Sequence, residues 1–247
     1  MSPSSLQDRV ALVTGSSSGI GAEIVRFLSR EGARVVVNSK SSVEAGEAVA
    51  KEVGGIYRQA DVSDPDAARG LVSTVVRHFG QLDILINNAG TTEVIPHLDL
   101  GAATPDIWAR LYATNVIAPF VLTTAAVPHL KKAHSGGSIV NIGSLAGLRQ
   151  TGSSIPYAAS KAALHHQTRL LAAVLGPEIR VNAVAPGLVD TPWTADWDAV
   201  RAGVSAISPM KRSAQPDDVA HLVLALVTSS LVTGEIWVVD SGLKLVH

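Results

Sequence analysis

The sequence predicts a single α/β domain over residues 1–247, a doubly wound parallel sheet with helices on both faces. Short runs rich in Val, Ile and Leu alternate with longer amphipathic segments along the chain, the order in which strands and crossover helices follow one another. The apolar runs are nearly continuous rather than alternating, as strands buried on both faces require. A length of 247 residues supplies one substantial core and demands no second one.

The elements follow in order. A first strand over 10–14 feeds the glycine-rich TGSSSGIG and a helix over 19–31. A second strand at 34–38 is followed by a helix over 43–53, and a third at 55–59 by a helix over 65–79. Asp64 before Pro65 marks that helix start, because proline lacks only a donor that the first turn leaves unused. A strand at 82–87 precedes a long helix over 105–132, opened by Thr104 and Pro105 and bent or interrupted by Pro119. Strands at 138–142 and 180–185 enclose a helix over 157–175. Residues 187–212 are the least regular and are expected to form a substrate loop or lid. Gln215 and Pro216 open a helix over 216–227, and a strand over 235–239 closes the chain. No internal repeat, low-complexity tract or linker is visible.

Composition excludes several functions. The 20 basic and 21 acidic side chains leave no electrostatic footprint for nucleic acid or anionic lipid, so a small neutral or anionic ligand is expected. Zero cysteines rule out disulfides, thiolate metal sites and cysteine nucleophiles, and suit a reducing compartment. The opening MSPSSLQDR lacks a signal-peptide pattern, and no apolar stretch approaches the roughly 20 residues that span a bilayer. A cytoplasmic protein without a membrane segment is expected. The eight histidines form no spaced metal set, and the neighbours His165 and His166 point to different helix faces, so no metal is expected.

The glycine loop reads in two ways. Gly15, Ser17 and Gly19 spell GxSxG, a strained turn that exposes a nucleophilic serine in some hydrolases. Gly15, Gly19 and Gly21 instead form a strand-to-helix turn whose free amides and helix dipole favour a phosphate. Further along, Ser144 follows a buried strand, and Tyr157 and Lys161 stand at i and i+4 on one helical face. Bringing a tyrosine from its reference pKa near 10 to neutrality takes roughly 4 kcal/mol. A cation about 4 Å away at an effective dielectric near 20 supplies about that much.

Taken in order, TGSSSGIG, NNAG at 87–90, Asn115, Ser144, YAASK at 157–161 and PGLVDT at 186–191 resemble the short-chain dehydrogenase/reductase family over essentially the whole chain. The resemblance implies a Rossmann-type sheet of seven parallel strands binding a nicotinamide dinucleotide. It implies that Tyr157 is the acid/base, that Lys161 lowers its pKa and bonds the ribose, and that Ser144 holds the reacting oxygen. Asn115 would hold a water that links Lys161 to solvent. The 3-oxoacyl-thioester reductases are the nearest specific branch. Family resemblance also implies a homotetramer built from two-fold dimers, with the helices near Asn115 and after Tyr157 pairing across an axis.

Further cofactor positions follow from the same match. Gly15, Ser17, Ser18, Gly19, Ile20 and Gly21 form the cofactor loop, and Asn38 precedes the end of the second strand. There Ser39 and Lys40 stand where an acid would repel a 2'-phosphate, so NADP(H) is expected over NAD(H). Asp61 and Val62 resemble an adenine contact, Asn87, Ala89 and Gly90 lie along the cofactor path, and Pro186, Gly187, Val189 and Thr191 hold the carboxamide. On the substrate side Leu145, Gln150 and Ile155 flank Ser144, and Trp193 and Trp197 offer apolar rings on the candidate lid. The expected activity interconverts a carbonyl compound and an alcohol. Its alternatives are a non-catalytic dinucleotide-binding regulator and, on the GxSxG reading, a serine hydrolase using Ser17.

Overall fold

A computed structural model describes residues 5–246. Seven parallel strands make one sheet: β1 Val10–Val13, β2 Arg34–Ser39, β3 Ile56–Gln59, β4 Ile84–Asn87, β5 Gly137–Ile142, β6 Ile179–Pro186 and β7 Ile236–Val239. Their spatial order is β3-β2-β1-β4-β5-β6-β7, with every neighbouring pair parallel. Alternate residues of each strand feed opposite faces. In β1, Ala11 and Val13 join one core with Ile24, Leu28, Val219 and Val223. Val10 and Leu12 join the other with Leu71, Val75, Leu122 and Ala126. Burying each such side chain contributes about 1.5–3 kcal/mol, so both faces hold the sheet.

The helices are α1 Gly19–Arg30, α2 Val43–Glu52, α3 Pro65–Phe79, α4 Pro105–Tyr112, α5 Ala118–Leu130, α6 Ile155–Leu175, α7 Asp198–Ile207 and α8 Pro216–Thr228. Asp64 caps α3 by accepting from the amides of Asp66 and Ala67, with Pro65 in the first turn. The long fourth helix of the sequence is interrupted as Pro119 demands, though upstream of it, by a π-helical turn over Ala113–Ile117. Proline has no N–H for the carbonyl four residues earlier, and the widened turn accommodates that loss.

Three expectations need correction. The run Pro105–Leu130 is apolar and long enough to cross a membrane by length and composition, contrary to the sequence reading. It is a core helix pair: Leu111, Leu122, Ala126 and Leu130 are buried, and α5 packs on α3 and on the sheet. The helix expected at 157–175 begins at Ile155, because Ser154 caps it and Pro156 fits its first turn. The irregular segment 187–212 contains α7, a helix with no buried residue.

Candidate active site

Strand order reverses between β1 and β4, where successive crossovers depart to opposite sides and leave a crevice at the strand ends. A cleft of about 1310 Å³ opens there, walled by the segments that follow β1 to β6. Gly15 and Gly19 have φ of +60° and +54°, which the turn into α1 imposes and glycine adopts without strain. A Cβ on Gly21 would lie 2.5 Å from both the Asn88 side chain and the Gly15 carbonyl. Ser16 ties the loop inward, donating to the Val13 carbonyl at 2.6 Å and accepting from the Asn38 amide. Ser17, Ser18 and Ile20 line the cleft, and no side chain caps the start of α1, leaving its amides to a ligand. Among the described residues no histidine or carboxylate bonds Ser17, so the hydrolase arrangement is not assembled. The glycine cradle and helix start fit a pyrophosphate.

At the end of β2, Asn38 is buried and staples the loop. Its Oδ1 accepts from Gly15 N, and its Nδ2 donates to the carbonyls of Arg58 and Ala60. Ser39 and Lys40 reach the cleft, but not as a free hydroxyl and ammonium. Ser39 is buried with its hydroxyl 2.8 Å from that of Tyr57, and Lys40 Nζ is 2.8 Å from the Asp61 carboxylate. Burial raises the Asp61 carboxyl, but hydrogen bonds from Lys40 and Ser63 outweigh it and hold the group below its ordinary range. The exposed Ser41 and Ser42 complete this rim, and Val62 lines its floor.

Asn87 is a correction. It is buried in β4, donates to Asn141 Oδ1 at 2.8 Å, and lies outside the cleft wall. Asn88 takes the place expected of it, donating to the carbonyls of Thr14 and Gly15 and so tying β4 to the glycine loop. Two adjacent asparagines alternate in direction at a strand end, and the motif alone does not say which one faces out. Ala89 and Gly90 line the cleft, and a Cβ on Gly90 would sit 3.5 Å from both Asn115 Oδ1 and Lys161 Nζ.

Ser144, Tyr157 and Lys161 converge on this cleft. Ser144 lies just past the end of β5, where Ala146 N donates to its Oγ at 3.1 Å. Tyr157 occupies the first turn of α6, its amide donating to the capping Ser154. Burial raises the Tyr157 phenol above its ordinary value of 10, while a hydrogen bond with Ser144 pulls it down. Lys161 is buried, its ammonium lowered by burial to about 8 and donating to the Ile142 carbonyl at 2.9 Å. Its Nζ is 5.8 Å from the centre of the Tyr157 ring. The ammonium therefore stands beside the ring, and burial is the larger influence on the phenol. Helical spacing put both groups on one face but did not reveal the carbonyl that claims the ammonium.

Asn115 sits in the π turn. Its Oδ1 accepts from Thr91 N at 2.9 Å, and its Nδ2 donates to Thr91 O and Ser160 Oγ. Both amide hydrogens are used by protein, so the side chain pins the segment after β4.

Pro186 at the end of β6 and Gly187, Val189 and Thr191 beyond it line the cleft, which Leu145, Gln150, Trp193 and Trp197 also line. Ile155 does not. It is the first residue of α6, and two positions before Tyr157 place it about 200° around the helix from the phenol. The segment after β6 is tied down at Asp190, which accepts from Arg201, Ser213 and Gln215. Sequence reasoning missed Val200 and Val204 of α7, and Val94, Ile95 and Pro96 after β4, all of which line the cleft. Their signal was present: 200, 204 and 207 are apolar at helical spacing. Among the described residues no group of three His, Asp or Glu is placed to hold a metal.

Two hydroxyls in one cleft, with a cation and a phosphate cradle beside them, can place an oxygen and exchange a proton with it. Comparison with known proteins places this arrangement in context. A family model described as enoyl-(acyl carrier protein) reductase matches residues 15–244. Ketoacyl reductase 2 of the granaticin polyketide synthase of Streptomyces violaceoruber is 51% identical over 240 residues, covering 96% of either chain. The 3-oxoacyl-[acyl-carrier-protein] reductase of Thermotoga maritima is 36% identical over 250 residues, 97% of this chain and 99% of that protein. A solved short-chain dehydrogenase/reductase from Burkholderia xenovorans superposes with a TM-score of 0.88 at 36% identity, covering 96% of this chain and 98% of that one.

Proposed function

The chain belongs to the short-chain dehydrogenase/reductase family, oxidoreductases acting on alcohols and ketones with a nicotinamide dinucleotide, and from that premise we propose an NADP(H)-dependent enzyme that interconverts a carbonyl and a secondary alcohol. The observation that carries this reading is the meeting of Ser144, Tyr157 and Lys161 in the same cleft as the glycine cradle. When bound, the dinucleotide supplies or accepts the hydride. Gly15, Ser17, Ser18, Gly19, Ile20 and Gly21 cradle its phosphates, with Val62, Ala89 and Gly90 along its length. Pro186, Gly187, Val189 and Thr191 lie at the nicotinamide end.

Tyr157 gives its phenolic proton to the carbonyl oxygen during reduction and recovers it in the reverse direction. Ser144 donates to the same oxygen, where negative charge develops. Lys161 keeps positive charge beside the phenol and binds the ribose, and Asn115 fixes the backbone over which both work. The choice of NADP(H) rests on β2 ending in Ser39 rather than a carboxylate, with Lys40, Ser41 and Ser42 at the rim. A phosphate there competes with Asp61 for Lys40.

The substrate proposed is an uncharged, predominantly apolar ketone, because Trp193, Trp197, Val200, Val204 and Val94 line the cleft. The ketoacyl chemistry named for two of the relatives, 3-oxoacyl in one of them, is its nearest specific version. A homotetramer built from two-fold dimers is proposed on the exposed apolar Phe120 of α5 and Leu170 and Val174 of α6. The cysteine-free composition suits the cytoplasm as its location. The test follows NADPH and NADH oxidation with 1-tetralone, an acetoacetyl thioester and an aldose, beside dissociation constants for both cofactors. Tighter NADPH binding and turnover of the ketone or thioester are expected. Tighter NADH binding overturns the cofactor choice, preferred turnover of the aldose overturns the substrate class, and turnover of none overturns the reductase reading.

A further inference from the structure

One buried titratable side chain beside the site has no part in that chemistry. His165 lies one helical turn beyond Lys161, so Tyr157, Lys161 and His165 follow each other at i, i+4 and i+8 along one stripe of α6. The stripe faces the end of β5, where the chain leaves the sheet. The last ladder contact there is Gly143 N with the Val184 carbonyl. The next amide, that of the half-buried Ser144, has no strand partner. It donates to Nε2 of His165 at 3.4 Å. One turn earlier, Lys161 Nζ donates to the Ile142 carbonyl. Helix α6 thus grips the backbone on both sides of Gly143, through an ammonium before it and an imidazole after it.

Packing makes the imidazole specific to this place. A Cβ on Gly143 would lie 2.0 Å from Nε2, and one on Gly147 would lie 2.9 Å from Cε1, so the ring fills the space that these two glycines leave. His165 is 2% exposed. Burial and the neighbouring Lys161 lower it to about 4 against the pull of the Gly147 backbone, so the ring is neutral; Nε2 faces the Ser144 amide, and Nδ1 has no hydrogen-bond partner among the described residues. A neutral ring accepts from an amide; a protonated one cannot.

We propose that His165 is a positioning residue: by accepting the Ser144 amide hydrogen, it fixes where the Ser144 hydroxyl stands relative to Tyr157. The proposal rests on Ser144 and Tyr157 being the oxygen-binding pair of the proposed reductase. A serine displaced by about 1 Å costs turnover on the order of 10²-fold, without weakening cofactor binding.

The experiment compares His165→Leu, His165→Asn and His165→Gln in the full chain, with NADPH and 1-tetralone, alone and on a Ser144→Ala background. Glutamine carries an acceptor to the position of Nε2, whereas the shorter asparagine does not. The leucine and asparagine variants are expected to lose kcat roughly 10²-fold with KM values within twofold, and glutamine to recover to within about threefold. On the Ser144→Ala background the leucine substitution should cost less than about twofold, because its effect runs through Ser144. Hydrogen exchange at the Ser144 amide, read without turnover, should be slow in the parent and glutamine proteins and fast in the other two. Equal losses in all three variants, unchanged kcat in the leucine variant, full additivity with Ser144→Ala or unchanged amide protection each overturn the proposal. Failure of the parent to reduce the ketone, with the exchange pattern intact, overturns the reductase reading alone.

Discussion

Replacing Lys161 by methionine should make the ligand-free protein more stable at neutral pH while removing its turnover. The ammonium is buried, and its pKa falls from 10.5 to about 8. That drop corresponds to roughly 3 kcal/mol of penalty on the charged form. The folded-state pKa lies below the unfolded one, so below about pH 8 both states are protonated and the whole penalty is present. Between about pH 8 and 10.5 only the unfolded chain holds the extra proton, and stability rises with pH. Methionine fills a similar volume without charge, but it strands the Ile142 carbonyl that accepts from Nζ, at about 1 kcal/mol. The net expectation at pH 7 is a gain of about 1–2 kcal/mol, shrinking to nothing or reversing by pH 10. Urea unfolding of both proteins at the two pH values measures it. A methionine variant less stable at pH 7, or a difference that does not narrow as pH rises, refutes the reasoning. Stability given up at a site that needs a buried cation is the trade expected of an active centre.

Other outcomes follow from the cleft. Gly21→Ala forces a methyl within 2.5 Å of the Gly15 carbonyl and 2.7 Å of Ser16 Cα, backbone atoms with nowhere to go. It should lower stability by about 1–3 kcal/mol and abolish NADPH binding, as thermal unfolding and calorimetry would read. Ser39→Asp puts a carboxylate at the end of β2, where Tyr57 can donate to it and keep the fold. It should weaken NADPH at least about tenfold while sparing or improving NADH, and unchanged cofactor preference in binding titrations would count against the assignment of that rim. Ser17→Ala should keep turnover within about threefold, since a loop serine without a base has no nucleophilic part; loss of all activity with cofactor binding intact would restore the hydrolase reading.

The strands were legible because burial on both faces leaves little choice of residue, as VALV in β1 and RVVVN in β2 illustrate. The helix start at Asp64 and Pro65 was legible from its cap, whereas the start of α6 at Ser154 and Pro156 was placed two residues late. Helix α7 was missed although Val200, Val204 and Ile207 stand at helical spacing, because the stripe is short, carries Gly203 and buries nothing. Pro119 announced an interruption but not its position, which depends on how the turn relaxes around the carbonyl that proline leaves without a donor. Within the site, the motifs located Ser144, Tyr157 and Lys161 in the chain, and the fold brought all three to one cleft. Motifs could not say which asparagine of NNAG turns outward, since one residue of register decides it. Nor could they show that Lys161 reaches the Ile142 carbonyl or that His165 receives the Ser144 amide. Those partners come from β5 and its end, brought against α6 only by the tertiary fold.

The proposed chemistry stands or falls on one hydroxyl. Steady-state NADPH oxidation, matched to alcohol formation, should be measured for the parent protein and for Tyr157→Phe at saturating cofactor. Loss of the phenolic proton should lower kcat by about 10²–10⁴-fold while NADPH affinity stays within about threefold, because the ring and the glycine cradle are untouched. A phenylalanine variant that turns over at the parent rate would contradict the assignment of Tyr157 as the acid/base.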